Sequence, residues 1–163
     1  EGIFVGTMSG SEKNLNLGPG TRMCGCLAED TQIRMGDGSL KHISDIRIGE
    51  RIMQPENGRP ILVQNIWKGW EEELIFIRTE EGNCAQMTKE HPVYQGNGFI
   101  RADELKAGDT VYGEEGQKVT VVSVDDVQYG GYVCNLDLKR DGGNGTMLAN
   151  GIVVGDSTVQ WGM

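Results

Sequence analysis

The feature that most constrains the fold is an internal repeat of Gly-rich hairpins. Residues 36–41 (Gly-Asp-Gly-Ser-Leu-Lys) match residues 96–101 (Gly-Asn-Gly-Phe-Ile-Arg), so two copies lie about 60 residues apart. Two copies are too few for a solenoid, and a closed β unit with pseudo-twofold halves is expected, about 30–93 and 93–156. Chance similarity between two Gly-turn hairpins is the alternative.

Short alternating segments fill both halves, and 25 Gly with only 4 Pro favour many strands and tight turns. The predicted strands are 32–35, 39–43, 51–54, 61–67, 73–79, 84–87, 92–94, 99–101, 110–112, 119–127, 132–139, 147–149 and 152–154. The acidic run 71–73 is interpreted as a solvated turn, and Asn150-Gly151 as the turn before the last strand. No long helix is expected, although 44–48 and 102–106 could each form one helical turn. The fold class is therefore all-β.

Charge and composition exclude several function classes. The formal charge is −9 and the 15 Lys and Arg form no run, so binding to nucleic acid or to an anionic membrane surface is not expected. No apolar run reaches the roughly 18 residues of a transmembrane helix, and the first residues lack the order of a signal peptide. Because the chain does not begin with Met, we expect an excised fragment. No cellular location is predicted.

The cysteines give no sign of a metal site. Of Cys24, Cys26, Cys84 and Cys134, only the first two lie close together, and the spacing is not that of a zinc site. We therefore predict no metal and no other cofactor.

The two histidines differ in their surroundings. His42 sits at the polar end of a strand and is interpreted as a surface residue. His91 precedes a Pro, which biases its backbone toward an extended conformation, and Thr88 lies three residues before it. A hydroxyl and an imidazole at this spacing can converge on one peptide group. From these residues alone, a partly buried His-Pro turn without chemistry is the favoured interpretation.

Three ordered blocks resemble the Hint superfamily, which comprises inteins, hedgehog autoprocessing domains and bacterial intein-like domains. The blocks are Cys26 to Ile33 with the Gly-Asp-Gly hairpin, residues 88–92 (Thr-Lys-Glu-His-Pro), and residues 135–138 followed by 147–154. The similarity spans residues 26–156, and the domain is most like the bacterial intein-like kind. It implies a horseshoe-shaped Hint domain at 26–156 between an N-terminal flanking arm, residues 1–25, and a C-terminal flank, residues 157–163.

The resemblance also implies residue roles at the first junction. Cys26 matches the nucleophile that attacks the Gly25 carbonyl and converts the Gly25-Cys26 amide to a thioester. His91 matches the histidine that protonates the departing amine, and Thr88 matches the threonine that orients the scissile peptide. Asn135 occupies a position where many inteins carry an Asp that couples the two cleavage ends. Because Asn carries no charge, that coupling is not expected here.

The second junction departs from the splicing pattern. Splicing inteins end in His-Asn before a Cys, Ser or Thr, and the Asn amide releases the downstream segment by cyclising. Here the corresponding residues are Gly155, Asp156 and Ser157. Asp156 has no nucleophilic amide and Gly155 supplies no imidazole, while Ser157 remains a possible acyl acceptor. We therefore expect the thioester to form at Gly25, and excision of the domain to be inefficient.

The expected function is self-processing: an N-S acyl shift at Gly25-Cys26, followed by attack of water, an external thiol or amine, or Ser157. The partners are the chain's own flanking segments, and a monomer is expected. A Cys/His hydrolase acting in trans would use the same Cys26 and His91 but would not depend on Gly25. A third alternative is a Hint fold that has lost its chemistry and serves as a structural or binding module.

Overall fold

The computed structural model describes residues 25–139 and 145–159 in full, and 4–5 and 14–15 by their backbone. The strands are β1 Phe4–Val5, β2 Asn14–Leu15, β3 Leu27–Ala28, β4 Gln32–Arg34, β5 Leu40–His42, β6 Arg51–Met53, β7 Pro60–Thr79, β8 Cys84–Met87, β9 Pro92–Tyr94, β10 Phe99–Arg101, β11 Thr110–Tyr112, β12 Lys118–Leu138, β13 Thr146–Ala149 and β14 Ile152–Gly155. Two single-turn 3-10 helices follow β5 and β10, at Ile43–Asp45 and Ala102–Glu104. The all-β prediction is confirmed.

Two six-stranded sheets contain most of the chain. Their strand orders are β10-β9-β14-β13-β4-β5 and β11-β12-β3-β8-β7-β6, with an additional antiparallel pairing of β12 with β7. Each order is symmetric about its centre, since β4 and β5 mirror β9 and β10, and β6 and β7 mirror β11 and β12. The two related halves predicted from the repeat are therefore present in the described residues.

The prediction of separate strands at 61–67 and 73–79 is wrong, because β7 runs unbroken for 20 residues. The acidic run 71–73 lies inside this strand and not in a solvated turn. Strand β12, 21 residues long, pairs with β7 and supplies partners for its backbone, with a register shift between Gln128 and Gly131. The same pairing joins the predicted strands 119–127 and 132–139.

One continuous core joins the two halves. It takes alternate residues of the strands, including Ile33 and Ile52 from the first half and Val111 and Leu136 from the second, each fully buried. Burying a side chain of this size stabilises the fold by roughly 1.5–3 kcal/mol. Since the core is shared, neither half has a complete core of its own.

The Asn150-Gly151 turn is confirmed. Both residues have positive φ, 52° and 82°, as a tight hairpin turn between β13 and β14 requires. The Asn150 side chain accepts a hydrogen bond from Gln32 N at 2.7 Å and donates one to Cys84 O at 2.8 Å. The amide of Asn150 therefore holds three strands together.

The predicted N-terminal flanking arm, residues 1–25, lies almost wholly outside the described residues. Besides Gly25, only β1 and β2 of this arm are described, and they pair antiparallel with Phe4 opposite Leu15. In the part of the chain that the structure describes, no helix is long and apolar enough to cross a membrane.

Candidate active site

The Gly25-Cys26 peptide lies immediately before β3, deep in the second sheet. Strand β3 pairs antiparallel with both β8 and β12, and its register puts Cys26 beside Thr88, which follows β8, and beside Asn135 on β12. Cys26 has no exposed surface and belongs to a small apolar cluster with Ala28, Trp67, Leu74 and Val133. The Gly25-Cys26 peptide is therefore enclosed by the domain.

Thr88 holds the amide side of this peptide. Its hydroxyl Oγ1 accepts a hydrogen bond from Cys26 N at 2.8 Å, and its own backbone N donates to Cys26 O at 2.9 Å. Only 2% of Thr88 is exposed, so no solvent competes for these bonds. The nitrogen of the Gly25-Cys26 amide is thus held by Thr88, which makes two hydrogen bonds with Cys26.

Asn135 holds the carbonyl side. Its Nδ2 donates a hydrogen bond to Gly25 O at 2.5 Å. Its Oδ1 accepts from Leu136 N at 2.8 Å, so the amide group is oriented with its NH2 toward the carbonyl. A donor that is fixed on a carbonyl oxygen in a buried site stabilises the negative charge that develops when the carbon is attacked.

His91 lies next to Gly25 of the same peptide and has no exposed surface. Its two ring nitrogens make no hydrogen bond of ordinary geometry with the described residues. Desolvation lowers the pKa of His91 from 6.5 to about 4, and the nearby backbone of Gly25 and of Gly155 opposes this more weakly. The imidazole is therefore neutral at pH 7 and adjoins both junctions of the domain.

The space at Gly25 admits no side chain. A Cβ built there would lie 2.1 Å from Thr88 Oγ1, 2.7 Å from His91 N and 2.8 Å from His91 Cα. Two of these three atoms belong to the backbone and cannot rotate away. The close approach of Thr88 and His91 to the Gly25-Cys26 peptide thus depends on glycine at this position.

Asp156 is buried and its carboxylate is occupied by hydrogen bonds. Oδ2 accepts from Leu138 N at 2.8 Å, and Oδ1 accepts from Thr158 N at 2.9 Å and from Thr158 Oγ1 at 2.7 Å. These bonds tie the second junction to the end of β12.

Ser157, the next residue, contacts a carboxylate that the sequence analysis did not single out. Its Oγ donates to Asp137 Oδ1 at 2.7 Å, and Asn65 Nδ2 donates to Asp137 Oδ2 at 3.1 Å. The sequence does carry a signal for Asp137: it lies two residues after the predicted site residue Asn135, and side chains two residues apart on a strand share a face.

The remaining cysteines are not part of this arrangement. Burial raises the pKa of Cys134 to about 12, so it stays a thiol. Cys84 is partly exposed, on the strand before Thr88, and Cys24 lies outside the described residues. Within residues 25–139 and 145–159, no group of three His, Cys, Asp or Glu side chains is placed to hold a metal ion.

Comparison with known proteins identifies the family. The pretoxin HINT domain model matches residues 32–138, well over half of the chain. The chain belongs to the pretoxin HINT domain family. The predicted membership of the Hint superfamily is thereby confirmed. The matched part of this HINT domain contains Thr88, His91 and Asn135, whereas both predicted cleavage junctions lie outside it.

Solved structures share the fold of this HINT domain. The gp41-1 intein aligns with a TM-score of 0.71 at 22% identity, covering 80% of this chain and 98% of that one. The bacterial intein-like domain from Clostridium thermocellum gives 0.69 at 23%, covering 82% and 99%. A DnaB intein from Synechocystis sp. PCC 6803 gives 0.65 at 20%, covering 82% and 99%. No curated protein matches the chain. The Hint fold prediction is confirmed.

The predicted site residues thus fall into two groups. Cys26, Thr88, His91 and Asn135 surround one peptide bond, whereas Asp156 and Ser157 lie at the second junction, which shares His91 with the first. Their chemical roles, like the domain boundaries, stay predictions.

Proposed function

We propose that this HINT domain cleaves its own chain once, by an N-S acyl shift at Gly25-Cys26. Self-processing is the general function of Hint domains, and one observation supports this particular reaction. The scissile peptide is hydrogen-bonded at both ends, its nitrogen to Thr88 and its carbonyl oxygen to Asn135. Two side chains that are 47 residues apart in the sequence thus meet on this one peptide, and each contacts an atom whose charge changes in the proposed reaction.

In this reaction Cys26 Sγ attacks the carbonyl carbon of Gly25, and negative charge develops on Gly25 O. The Asn135 amide stabilises that charge, a contribution of about 10²- to 10³-fold in rate. An ionised Asp at this position would repel the same oxygen. Asn135 therefore acts as an oxyanion donor, a role that does not require the charge of an Asp at this position.

His91 carries the proton. A neutral imidazole can accept the thiol proton and then donate it to Cys26 N as the C-N bond breaks, so that its own charge is unchanged at the end. Thr88 keeps Cys26 N in position during the transfer. The products are a Gly25-Cys26 thioester and a free amine at Cys26.

Cleavage at the first junction is the favoured outcome. Water, an external thiol or an amine attacks the thioester and releases residues 1–25. Asp156 offers no amide for cyclisation, and its carboxylate is held by Leu138 and Thr158. Splicing, which requires release after Asp156, is therefore disfavoured.

A hydrolase acting in trans fits the site poorly. Cys26 and His91 are fully buried and Asn135 is 1% exposed. An external substrate would have to displace the chain's own Gly25-Cys26 peptide from its hydrogen bonds. A Hint fold without chemistry is distinguished by experiment.

The test is intact-mass spectrometry of the purified chain at pH 7, with and without dithiothreitol. We expect two fragments, residues 1–25 and 26–163, to form faster with the thiol and to be absent in Cys26→Ala. Cys84→Ala, which removes a cysteine outside the site, is the matched control and retains cleavage. An intact chain under all conditions would leave the domain as a scaffold.

A further inference from the structure

A carboxylate, that of Asp137, lies two residues after Asn135, whose amide is bonded to Gly25 O. Asp137 lies on β12, accepts the Ser157 hydroxyl on one carboxylate oxygen and is held on the other by Asn65. Asn65 is the residue opposite Asp137 in the pairing of β7 with β12. Asn65 therefore orients the carboxylate through Oδ2, so that Oδ1 faces the Ser157 hydroxyl.

The two groups share one face of β12. Asn135, bonded to Gly25 O, and Asp137, bonded to Ser157 Oγ, are two residues apart, which is about 7 Å along a strand. The backbone of Ser157 is fixed between them, because Ser157 N donates to Leu136 O at 2.9 Å. Ser157 thus lies against the segment of β12 that carries the hydrogen-bond donor to Gly25 O.

The residues of both junctions also lie next to the His91-Pro92 segment. A Cβ built on Gly25 would lie 2.7 Å from His91 N, and one built on Gly155 would lie 3.0 Å from Cγ of Pro92, the residue after His91. Asp156, between Gly155 and Ser157, is anchored to the end of β12. Contacts with residues 91–92 and with β12 therefore place both junctions in the same region of the domain.

We propose that Asp137 is the catalytic base that activates Ser157 to take the acyl group from Cys26. This assignment rests on the proposed thioester at Gly25-Cys26. Ser157 Oγ forms a bond to the Gly25 carbonyl carbon, and the hydroxyl proton passes to the Asp137 carboxylate. The C-S bond then breaks, and Cys26 Sγ takes the proton from Asp137. The product is an ester between Gly25 and Ser157, and both catalytic groups return to their starting state.

The different roles of Asn135 and Asp137 follow from their side-chain chemistry. Asn135 can donate to an oxyanion but cannot accept a proton, whereas the Asp137 carboxylate can accept one. One face of β12 thus supplies the oxyanion donor and the base. Because Asp156 has no amide that could release the downstream segment by cyclising, the ester persists until water hydrolyses it.

The test follows the ester and the thioester separately in the full chain. After incubation at pH 7, digestion with trypsin at pH 6 preserves the ester, and cleavage after Arg22 and Arg140 yields residues 23–25 joined to residues 141–163. The rate at which dithiothreitol releases residues 1–25 reports the thioester. We expect the branched peptide in the unmodified chain and none in Ser157→Ala.

Asp137→Asn is expected to form the branched peptide about 100-fold more slowly, since a general base contributes about 10²- to 10⁴-fold. Its release by dithiothreitol stays within about twofold of the unmodified chain, because Asn135, Thr88 and His91 are intact. Asp125→Asn, an exposed carboxylate on the same strand, is the matched control and changes neither rate.

The outcomes separate the two proposals. Without thiol-dependent release in the unmodified chain, both fail. With release, the absence of the branched peptide, or its formation by Asp137→Asn at the unmodified rate, overturns the role of Asp137 alone. If Asp137→Asn does not fold, Asn65→Ala decides, because it keeps the carboxylate but removes its orienting donor. That variant is expected to be about tenfold slower in ester formation only, and an unchanged rate contradicts the proposal.

Discussion

Replacing Gly25 by Ala tests how closely the domain fits its own scissile peptide. The new Cβ would lie 2.1 Å from Thr88 Oγ1, against an ordinary contact of at least 3.4 Å, so about 1.3 Å must be accommodated. The backbone of His91, 2.7 Å away, closes the other side. A shift of about 1 Å in a reacting group costs roughly 10²-fold in rate. We therefore expect thiol-dependent cleavage of Gly25→Ala to be about 100-fold slower.

The assay is the initial rate of release of residues 1–25 in dithiothreitol, read by intact mass, together with urea unfolding. Gly36→Ala is the matched control, since its Cβ would lie 2.9 Å from Pro60 Cβ, far along the chain from the site. We expect it to lose stability, by about 1–3 kcal/mol, but to keep its cleavage rate. A folded Gly25→Ala chain that cleaves within about threefold of the unmodified rate would refute the reasoning.

Three further predictions concern the same residues. Below pH 6.5 the unfolded state binds a proton at His91 that the folded state, with a pKa of about 4, does not, so stability falls as the pH drops from 6.5 toward 4. In urea titrations the unmodified chain should lose about 2–3 kcal/mol between pH 7 and pH 4.5 relative to His91→Asn, and parallel curves would contradict this. Asn135→Ala removes the donor to Gly25 O and the acceptor for Leu136 N, so thiol-dependent cleavage should slow about 10²- to 10³-fold and stability should fall by about 1–3 kcal/mol. Asp156→Asn keeps one oxygen that can accept from Leu138 N, and Gly155 supplies no imidazole, so no 157–163 fragment should appear in intact-mass spectra; appearance of that fragment would show that the new amide cyclises.

Much of the fold could be predicted because its determinants are local. Alternating apolar residues and Gly turns define the short strands, and the repeat of 36–41 at 96–101 predicts that one half resembles the other. The two long strands could not be predicted this way. Gly69 and the acidic run 71–73 look like a turn, and only the pairing with β12, a distant segment, keeps the chain extended there.

The part of the site that lies in recognisable sequence motifs could be predicted. The motifs predict Cys26, Thr88 and His91, and the structure places all three around one peptide. The contact of Asp137 with Ser157 could not be predicted from spacing, because it depends on how the last residues return to β12. The direction of the Asn135 amide is also a tertiary property, since Leu136 N fixes its oxygen and thereby aims its NH2 at Gly25.

Hydroxylamine trapping at Gly25 tests the central claim most directly. Hydroxylamine attacks thioesters and oxygen esters but leaves peptide bonds largely intact at neutral pH, so the modified residue reports where the acyl group was activated. We predict a hydroxamate on the carboxyl terminus of the 1–25 fragment, formed by Ser157→Ala as well as by the unmodified chain and absent from Cys26→Ala. A chain that stays uncleaved at Gly25, or a hydroxamate that forms equally in Cys26→Ala, would contradict the thioester.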